Sequence, residues 1–438
     1  MASRSSSAPM AARATLPNEV IGLIIKHLPR DDLSHARHIS KAFAAVAAPR
    51  LFETIPIWIG RDSLQALTEL SRHPQLRQYV TEVVFSPLRF IDQKDETTYL
   101  SRTKASIRLN TDSSNLADLK MMKHKTAYRS FIESQRELTA DGFDLSILAH
   151  AFKQLPSLKR LVLDHTNTKI GAKLLHRELG FFNSSILLTC DCLYTLPVLV
   201  RALCIGNVQL ECFTIGSSTA FSKCKSYEVS LVTRDSNYSM LKPQYPKTIV
   251  SAALAKAFDL TYVDDICESN EYLLFRDLRR LEIQDLDRIP SEEAVMQIRI
   301  ALNGILSLPD KLESIKIGNL GLNNGPDLCL YEPLHLNGGG LRHLDLSYSK
   351  AKRRRLMEFL GDRSLCLESI KFFEVILANA SWATVLAELR MLEFPNLKTF
   401  ILHNCRDPDQ IDDEIEWVVA VQDYVLRKTL ANPCAQHW

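Results

Sequence analysis

The sequence predicts an α/β chain in two parts: a short three-helix unit, then an irregular series of stacked strand–helix repeats forming one curved parallel sheet. Three observations carry this. Residues 16–52 divide into three short helices at proline and serine positions. Behind them a six-residue form, apolar-x-x-apolar-x-apolar, recurs, with helix-patterned stretches between its later copies. And 438 residues exceed what one hydrophobic core usually holds, which fits several stacked units.

Residues 1–14 are small, polar and free of acids, and lack the apolar centre of a secretory signal. They are expected to be a disordered tail. The helical unit spans 15–54. Pro17 suits a first helical position, and Glu19 lies in the first turn, where the helix dipole favours an acid. Pro29 ends this helix, Asp31 or Asp32 caps the second, and Ser40 caps a third that stops before Pro49. At about 100° per residue, Val20, Ile21, Leu23, Ile24, Ile25 and Leu28 cover an arc of roughly 200°, twice the usual stripe. Such a helix needs cover on two sides, yet a unit of about 40 residues builds little core alone. Part of this surface is expected to meet the rest of the chain or a second protein.

The same residues carry a family resemblance. Leu16-Pro17-x-Glu19-Val20, Ile24-Ile25, Leu28-Pro29, Asp32-Leu33, Ile39-Ser40-Lys41 and Phe43 follow the order and spacing of an F-box. The segment is especially similar to F-box proteins of filamentous fungi, which continue as Ala47 to Phe52 do here. The resemblance covers about a tenth of the chain. It implies that the helices dock on the Skp-type adaptor of a cullin ubiquitin ligase. The contacts it implies are Leu16, Pro17, Ile21, Ile24, Ile25, Leu28, Leu33, Ile39 and Phe43. Phe43 stands where many F-boxes have Trp, and Leu51-Phe52 where another Trp is common.

Residues 55–91 are expected to couple this unit rigidly to the body. Ile55, Ile57 and Ile59 alternate as in a strand, and Asp62 and Gln65 have capping-box spacing. The repeat form first occurs at Val80, then at Leu158, Leu210, Leu278, Leu312, Leu341, Leu367 and Leu397. Both residues after the first apolar one are polar in seven of the eight copies, and the last four intervals are 34, 29, 26 and 30 residues. A strand followed by a helix at this period resembles a leucine-rich repeat. One unit cannot bury its apolar face alone, so neighbours stack. At the position where the repeat consensus has Asn or Cys, Cys405 fits, and Thr166, Ser218 and Ser349 are polar substitutes. Leu286, Leu320 and Val375 are not, so the body, residues 141–405, is expected to be irregular. Residues 92–140 form a charged insertion that turns helical, with Tyr128, Phe131 and Gln135 placed as in the fungal F-box family. Residues 217–250 read as a long loop. The tail, 406–438, starts acidic and ends basic, as suits a helix that caps the repeats.

Little in the sequence points to chemistry. It lacks GxSxG, HExxH, Walker and GxGxxG motifs, and no catalytic residue or cofactor is expected. The glycines 338–340 precede a strand, not a helix. The ten cysteines contain no CxxC pair and read as reduced core thiols, with no metal site expected at Cys190 and Cys192. Trp58, Trp382 and Trp417 fall at core positions, and His343 and His403 on strands. A net charge of +2 gives no argument for nucleic acid or membrane. Lys350 to Arg355 is a dense basic run: a nuclear-import signal, a contact for an acidic substrate, or a solvated loop and helix start. The expected function is that of a non-enzymatic adaptor in the cytoplasm or nucleus, partnered by a Skp-type protein, through it a cullin, and a protein target. The target would meet the polar x positions: Arg279, Arg280, Glu282, Glu313, Lys316, Arg342, Asp345, Glu368, Lys371 and Lys398. A scaffold whose F-box-like segment engages no ligase is the alternative.

Overall fold

A computed structural model describes residues 16–90, 114–164, 188–216, 253–254, 256–257, 272–284, 301–302, 305–306, 309–318, 340–347, 349–407 and 418–429. The expectations for 1–14, 217–250 and Trp417, and the charged part of the 92–140 insertion, lie outside these residues.

Three helices open the chain: α1 (Asn18–His27), α2 (Arg30–Ala36) and α3 (Lys41–Phe52). Pro29 separates the first two. It stands itself at the N-cap of α2, where an aspartate was expected. Ser40 does cap α3, its hydroxyl accepting from Phe43 N at 3.2 Å. The helix does not stop before Pro49 but runs through it. Pro49 and Ala45, whose carbonyl loses the intrahelical bond, are both exposed, so water can take its place. Ile21, Ile25, Leu33, Ala36 and Ala47 form a small core separate from the main one.

Strand β1 (Thr54–Trp58) follows at once, then α4 (Arg61–Arg72) and β2 (Glu82–Ser86). The capping box expected at Asp62 and Gln65 does not form. Gly60 is the N-cap, Asp62 sits within the first turn and Gln65 donates to Glu69. Next come β3 (Leu88–Phe90), α5 (Ser114–Ala140), α6 (Phe143–Lys153), β4 (Arg160–Leu163), β5 (Leu188–Cys190), α7 (Cys192–Ile205) and β6 (Cys212–Ile215). The remaining strands are β7 (Arg280–Ile283), β8 (Ser314–Ile317), β9 (His343–Ser347), β10 (Lys350–Ala351), β11 (Ser369–Phe373), β12 (Ile376–Leu377) and β13 (Thr399–His403). Among them lie α8 (Arg353–Asp362) and α9 (Trp382–Met391), and α10 (Val418–Val425) comes last.

Among the described residues nine strands form one sheet in chain order, β1-β2-β4-β6-β7-β8-β9-β11-β13, and every neighbouring pair is parallel. All eight copies of the repeat form supply a strand of this sheet. The register aligns their apolar positions into rows. One runs Val83, Leu161, Phe213, Leu281, Ile315, Leu344, Ile370, Phe400, and the next runs Phe85, Leu163, Ile215, Ile283, Ile317, Leu346, Phe372, Leu402. All sixteen are buried, as are the leading residues from Val80 to Leu397. Helices α4, α6, α7, α8 and α9 pack their apolar faces into the same core. The strands also begin alike. From Glu53 to Glu368, one carbonyl before each strand accepts two successive amides of the next, as Thr81 O does from Lys159 and Arg160.

The strand ends show why the repeats are uneven. Glu374 and Asn404, each just after a strand, are left-handed with φ of 49°. Cys405 then bonds its turn to the neighbouring strand, Sγ to Phe372 O at 3.5 Å. Val375, in the equivalent place, is fully buried and fills the slot by packing alone. Two small additions escaped the sequence: β3 pairs antiparallel with β5, and β10 pairs with β12.

The outer edge of β1 is blocked. Thr54 O accepts from Arg30, which also donates to Leu51 O at 3.1 Å, and Trp58 N donates to Ser63 Oγ at 3.1 Å. Pro56 lies between them on the same side and has no donor. At the other end α10 packs against β13. Phe213 is fully buried between strand neighbours and beside Phe275, with ring centroids 5.6 Å apart. Phe213→Ala is expected to cost about 3–5 kcal/mol. Urea unfolding checks this as a lowered midpoint, with the largest effect on the sheet.

Candidate interaction surfaces

The first surface lies on the helical unit. Ile21, Ile25 and Leu33 point into its core, and Leu28 and Phe43 pack half-buried against it. Other apolar side chains stay in solvent: Leu16 is 50% exposed, Leu23 60%, Ile24 39% and Ile39 67%. Pro17 is exposed as well. The nine residues nominated by resemblance therefore divide. Leu16, Pro17, Ile24 and Ile39 are available to a partner, while Ile21, Ile25 and Leu33 hold the unit together. Among the described residues the two-sided helix is covered on one side, by the small core it shares with α2 and α3. The unit is fastened to the sheet through Arg30, and Arg50 donates to Ile25 O within it.

The second surface is the sheet face opposite the helices. The register brings the nominated polar positions into rows that the sequence did not reveal. One row, just before the strands, reads Lys159, Glu211, Arg279, Glu313, Arg342, Glu368, Lys398, and its sign alternates throughout. Lys159 meets Glu211 at 2.6 Å, Arg279 meets Glu313 at 3.3 Å, and Glu368 sits between Arg342 at 3.6 Å and Lys398 at 2.7 Å. The bond from Lys398 holds the Glu368 carboxyl below its ordinary range. Parallel strands lie ~4.8 Å apart, so like charges in such a row would repel while alternating ones pair. A second row reads Glu282, Lys316, Asp345, Lys371 and alternates likewise. Burial pushes the Asp345 carboxyl up despite Lys316 and Lys371 beside it. Between the rows run Ser314, His343, Ser369 and Thr399, preceded on β7 by Arg280. Toward β1 this face turns apolar: Val84 and Val162 occupy the second row and are buried.

The insertion docks where the sequence placed its marker residues. Tyr128, Phe131 and Gln135 of α5 all meet Phe90. The Phe90 ring stacks on Phe131 at 5.1 Å and meets Tyr128 edge-on at 5.8 Å. The Gln135 amide accepts from Phe90 N at 3.0 Å and donates to Phe90 O at 3.3 Å, as a neighbouring strand would. A cleft of about 290 Å³ opens beside them, lined by Trp58, Arg61, Ser130, Phe131 and Ser134 among others. That is at the lower limit for a small-molecule site.

One buried charged cluster was not anticipated. Arg89, 6% exposed, lies 3.4 Å from Asp191 and 3.9 Å from Asp144, with its guanidinium 4.1 Å over the Tyr194 ring. Tyr194 donates to both oxygens of the fully buried Asp144, at 3.0 and 3.1 Å. Asp191 caps α7. The cluster ties β3, α6 and α7 together, and its members do not line the cleft beside Phe90. The signal in sequence was three ordinary residue types scattered over about a hundred positions.

The basic run 350–355 begins in β10 and enters α8. Arg353 bonds Glu388 at 3.1 Å, and Glu358 pairs with Arg354 at 2.9 Å and Arg355 at 3.1 Å. These carboxylates offset the unfavourable cations at the helix start. Trp58 and Trp382 are core residues, as expected. Among the described residues no group of three metal-binding side chains comes together, and no helix is long and apolar enough to cross a membrane. The chain matches no family model, and no curated protein is significantly similar to it.

Burial and the neighbouring Asp144 raise the Tyr194 hydroxyl to about 12, against 10 in the unfolded chain. Between these values the folded state keeps a proton that the unfolded state has lost, so stability falls as pH rises through that window. Below it the contribution is complete. Urea unfolding of wild type and Tyr194→Phe is expected to diverge below the window and converge above it.

Proposed function

We propose that the chain is a substrate adaptor of a ubiquitin ligase of the Skp–cullin–F-box type. Residues 15–54 act as the F-box. The sheet and its helices act as an irregular leucine-rich-repeat solenoid, capped by α10, whose polar face receives the target. The chain does no chemistry. It raises the effective concentration of the target's lysines near a ubiquitin-charged enzyme.

The observation that carries this reading is the helical unit. It has its own small core, yet leaves Leu16, Leu23, Ile24 and Ile39 in solvent on a segment with F-box spacing. An exposed apolar patch on a fold that could have buried it favours a protein partner. The Arg30 bonds to Leu51 and Thr54 support a fixed geometry between adaptor end and target end, which a proximity mechanism needs. A non-catalytic scaffold is the second reading. It is favoured by the inward turn of Ile21, Ile25 and Leu33, and by the absence of Trp at Phe43 and at Leu51-Phe52.

Exposure separates the two experimentally. Ile24 is partly exposed, so Ile24→Asp should leave the unit folded while weakening capture of a Skp-type adaptor by about 2 kcal/mol or more, roughly 30-fold. Ile21→Asp should instead unfold the unit. Equal capture of the adaptor by wild type and Ile24→Asp would count against the ligase reading.

A further inference from the structure

The cleft beside Phe90 holds a set of hydrogen-bond donors that the fold itself does not use. Trp58 lines it and is only 5% exposed. Its indole packs under Gly60: a Cβ there would stand 3.0 Å from the ring and 3.4 Å from Nε1. Trp58 is anchored by its backbone amide, which donates to Ser63 Oγ. Among the described residues its indole N–H has no partner. Nor is that N–H sealed from solvent, as the unpartnered Nε1 of Trp382 is. An indole this buried ordinarily gives its N–H to an acceptor.

The start of α4 adds donors in the same place. Gly60 is the N-cap and has no side chain to offer, so the first bonded amide is that of Leu64, to Gly60 O at 3.0 Å. The amides of Arg61, Asp62 and Ser63 have no acceptor within the helix. Gly60, Arg61 and Asp62 line the cleft. Another wall is one face of α5, where Ala127, Ser130, Phe131 and Ser134 follow helical spacing. It brings two hydroxyls, a ring and a methyl group. Net charge does not choose the occupant. The charged residues lining the cleft are Arg61 and Asp62, one of each sign, and Arg61 is already paired with Glu137 at 2.7 Å. The oriented donors choose it. Indole N–H, helix amides and hydroxyls border one space at the positive end of the α4 dipole, which suits an anionic acceptor. Asp62 at the same place favours a singly charged carboxylate over a phosphate dianion.

We propose that this cleft binds the C-terminal carboxylate of a partner polypeptide. The carboxylate takes the α4 amides and the Trp58 N–H, and the last side chain, an apolar one, lies against Phe131 and Ala127. An α-carboxylate carries its side chain on the same carbon, which matches donors and an apolar wall within about 290 Å³. Calling the partner a target rests on the adaptor reading; the preference for a free carboxylate does not.

The full-length chain is titrated into a fluorescein-labelled peptide, Gly-Ser-Gly-Ser-Gly-Leu, ending either in the free acid or in the amide, and anisotropy is read. The acid should bind about tenfold tighter or more, the difference that one charge-assisted contact makes. Trp58→Phe keeps a ring and removes the N–H, and should weaken the acid about tenfold while leaving the amide unchanged. Asp62→Asn should tighten the acid several-fold by removing the one anion of the cleft, a gain that a misfolded variant would not give. The proposal fails if neither peptide binds, if acid and amide bind alike, or if Asp62→Asn gives no gain. Displacement by acetate as effective as by the unlabelled peptide would assign the cleft to small carboxylates and overturn it as well. Capture of the Skp-type adaptor is scored on the same chain. Acid binding without adaptor capture sinks the ligase reading alone, and the reverse outcome sinks the cleft alone.

Discussion

Everything else in the structure depends on a shared register: each strand of the sheet turns its apolar residues to the same side at the same height. Phe213 can be fully buried only because Leu161 and Leu281 flank it in neighbouring strands. A slip of one residue in any strand would turn its leucines outward and its charges inward. The repeated bond at each strand start, one carbonyl to two amides, fixes that phase along the chain. The same register creates the other face. Charges three and two positions apart in sequence become rows whose signs alternate between strands. The core and the charged face are therefore two results of one constraint.

The helical unit belongs to this system through its edge. A parallel sheet ends in an unpaired strand, which invites another chain to pair with it. Here Arg30, Pro56 and Ser63 close that edge group by group. Arg30 comes from α2, so the residue that protects the edge also fixes the direction in which Leu23 and Ile24 are presented. A surface carried this way moves with the sheet.

Much of the fold was legible in the sequence because the repeat form encodes period and phase together. Leu278, Leu312, Leu341, Leu367 and Leu397 each mark a strand that the structure contains. Local punctuation was less reliable. Pro49 looked like a stop but lies on a solvent-facing turn of α3, and Asp62 looked like a cap but falls two residues past the N-cap Gly60. What sequence could not give was pairing across strands. The alternation of Arg279, Glu313, Arg342 and Glu368 has no meaning until the register sets them side by side. Arg89, Asp144, Asp191 and Tyr194 meet only after three elements have packed. The division of the F-box-like residues into core and surface depends on which side of α1 meets α3.

The exposed side of the helical unit is the proposed docking site for a Skp-type adaptor, and reconstitution tests this most directly. Purified full-length chain is mixed with a Skp-type adaptor and its mass measured by light scattering on a sizing column. A complex with one copy of each, stable at micromolar concentration, is the predicted result. Separate elution of the two proteins, each at its own mass, would contradict it.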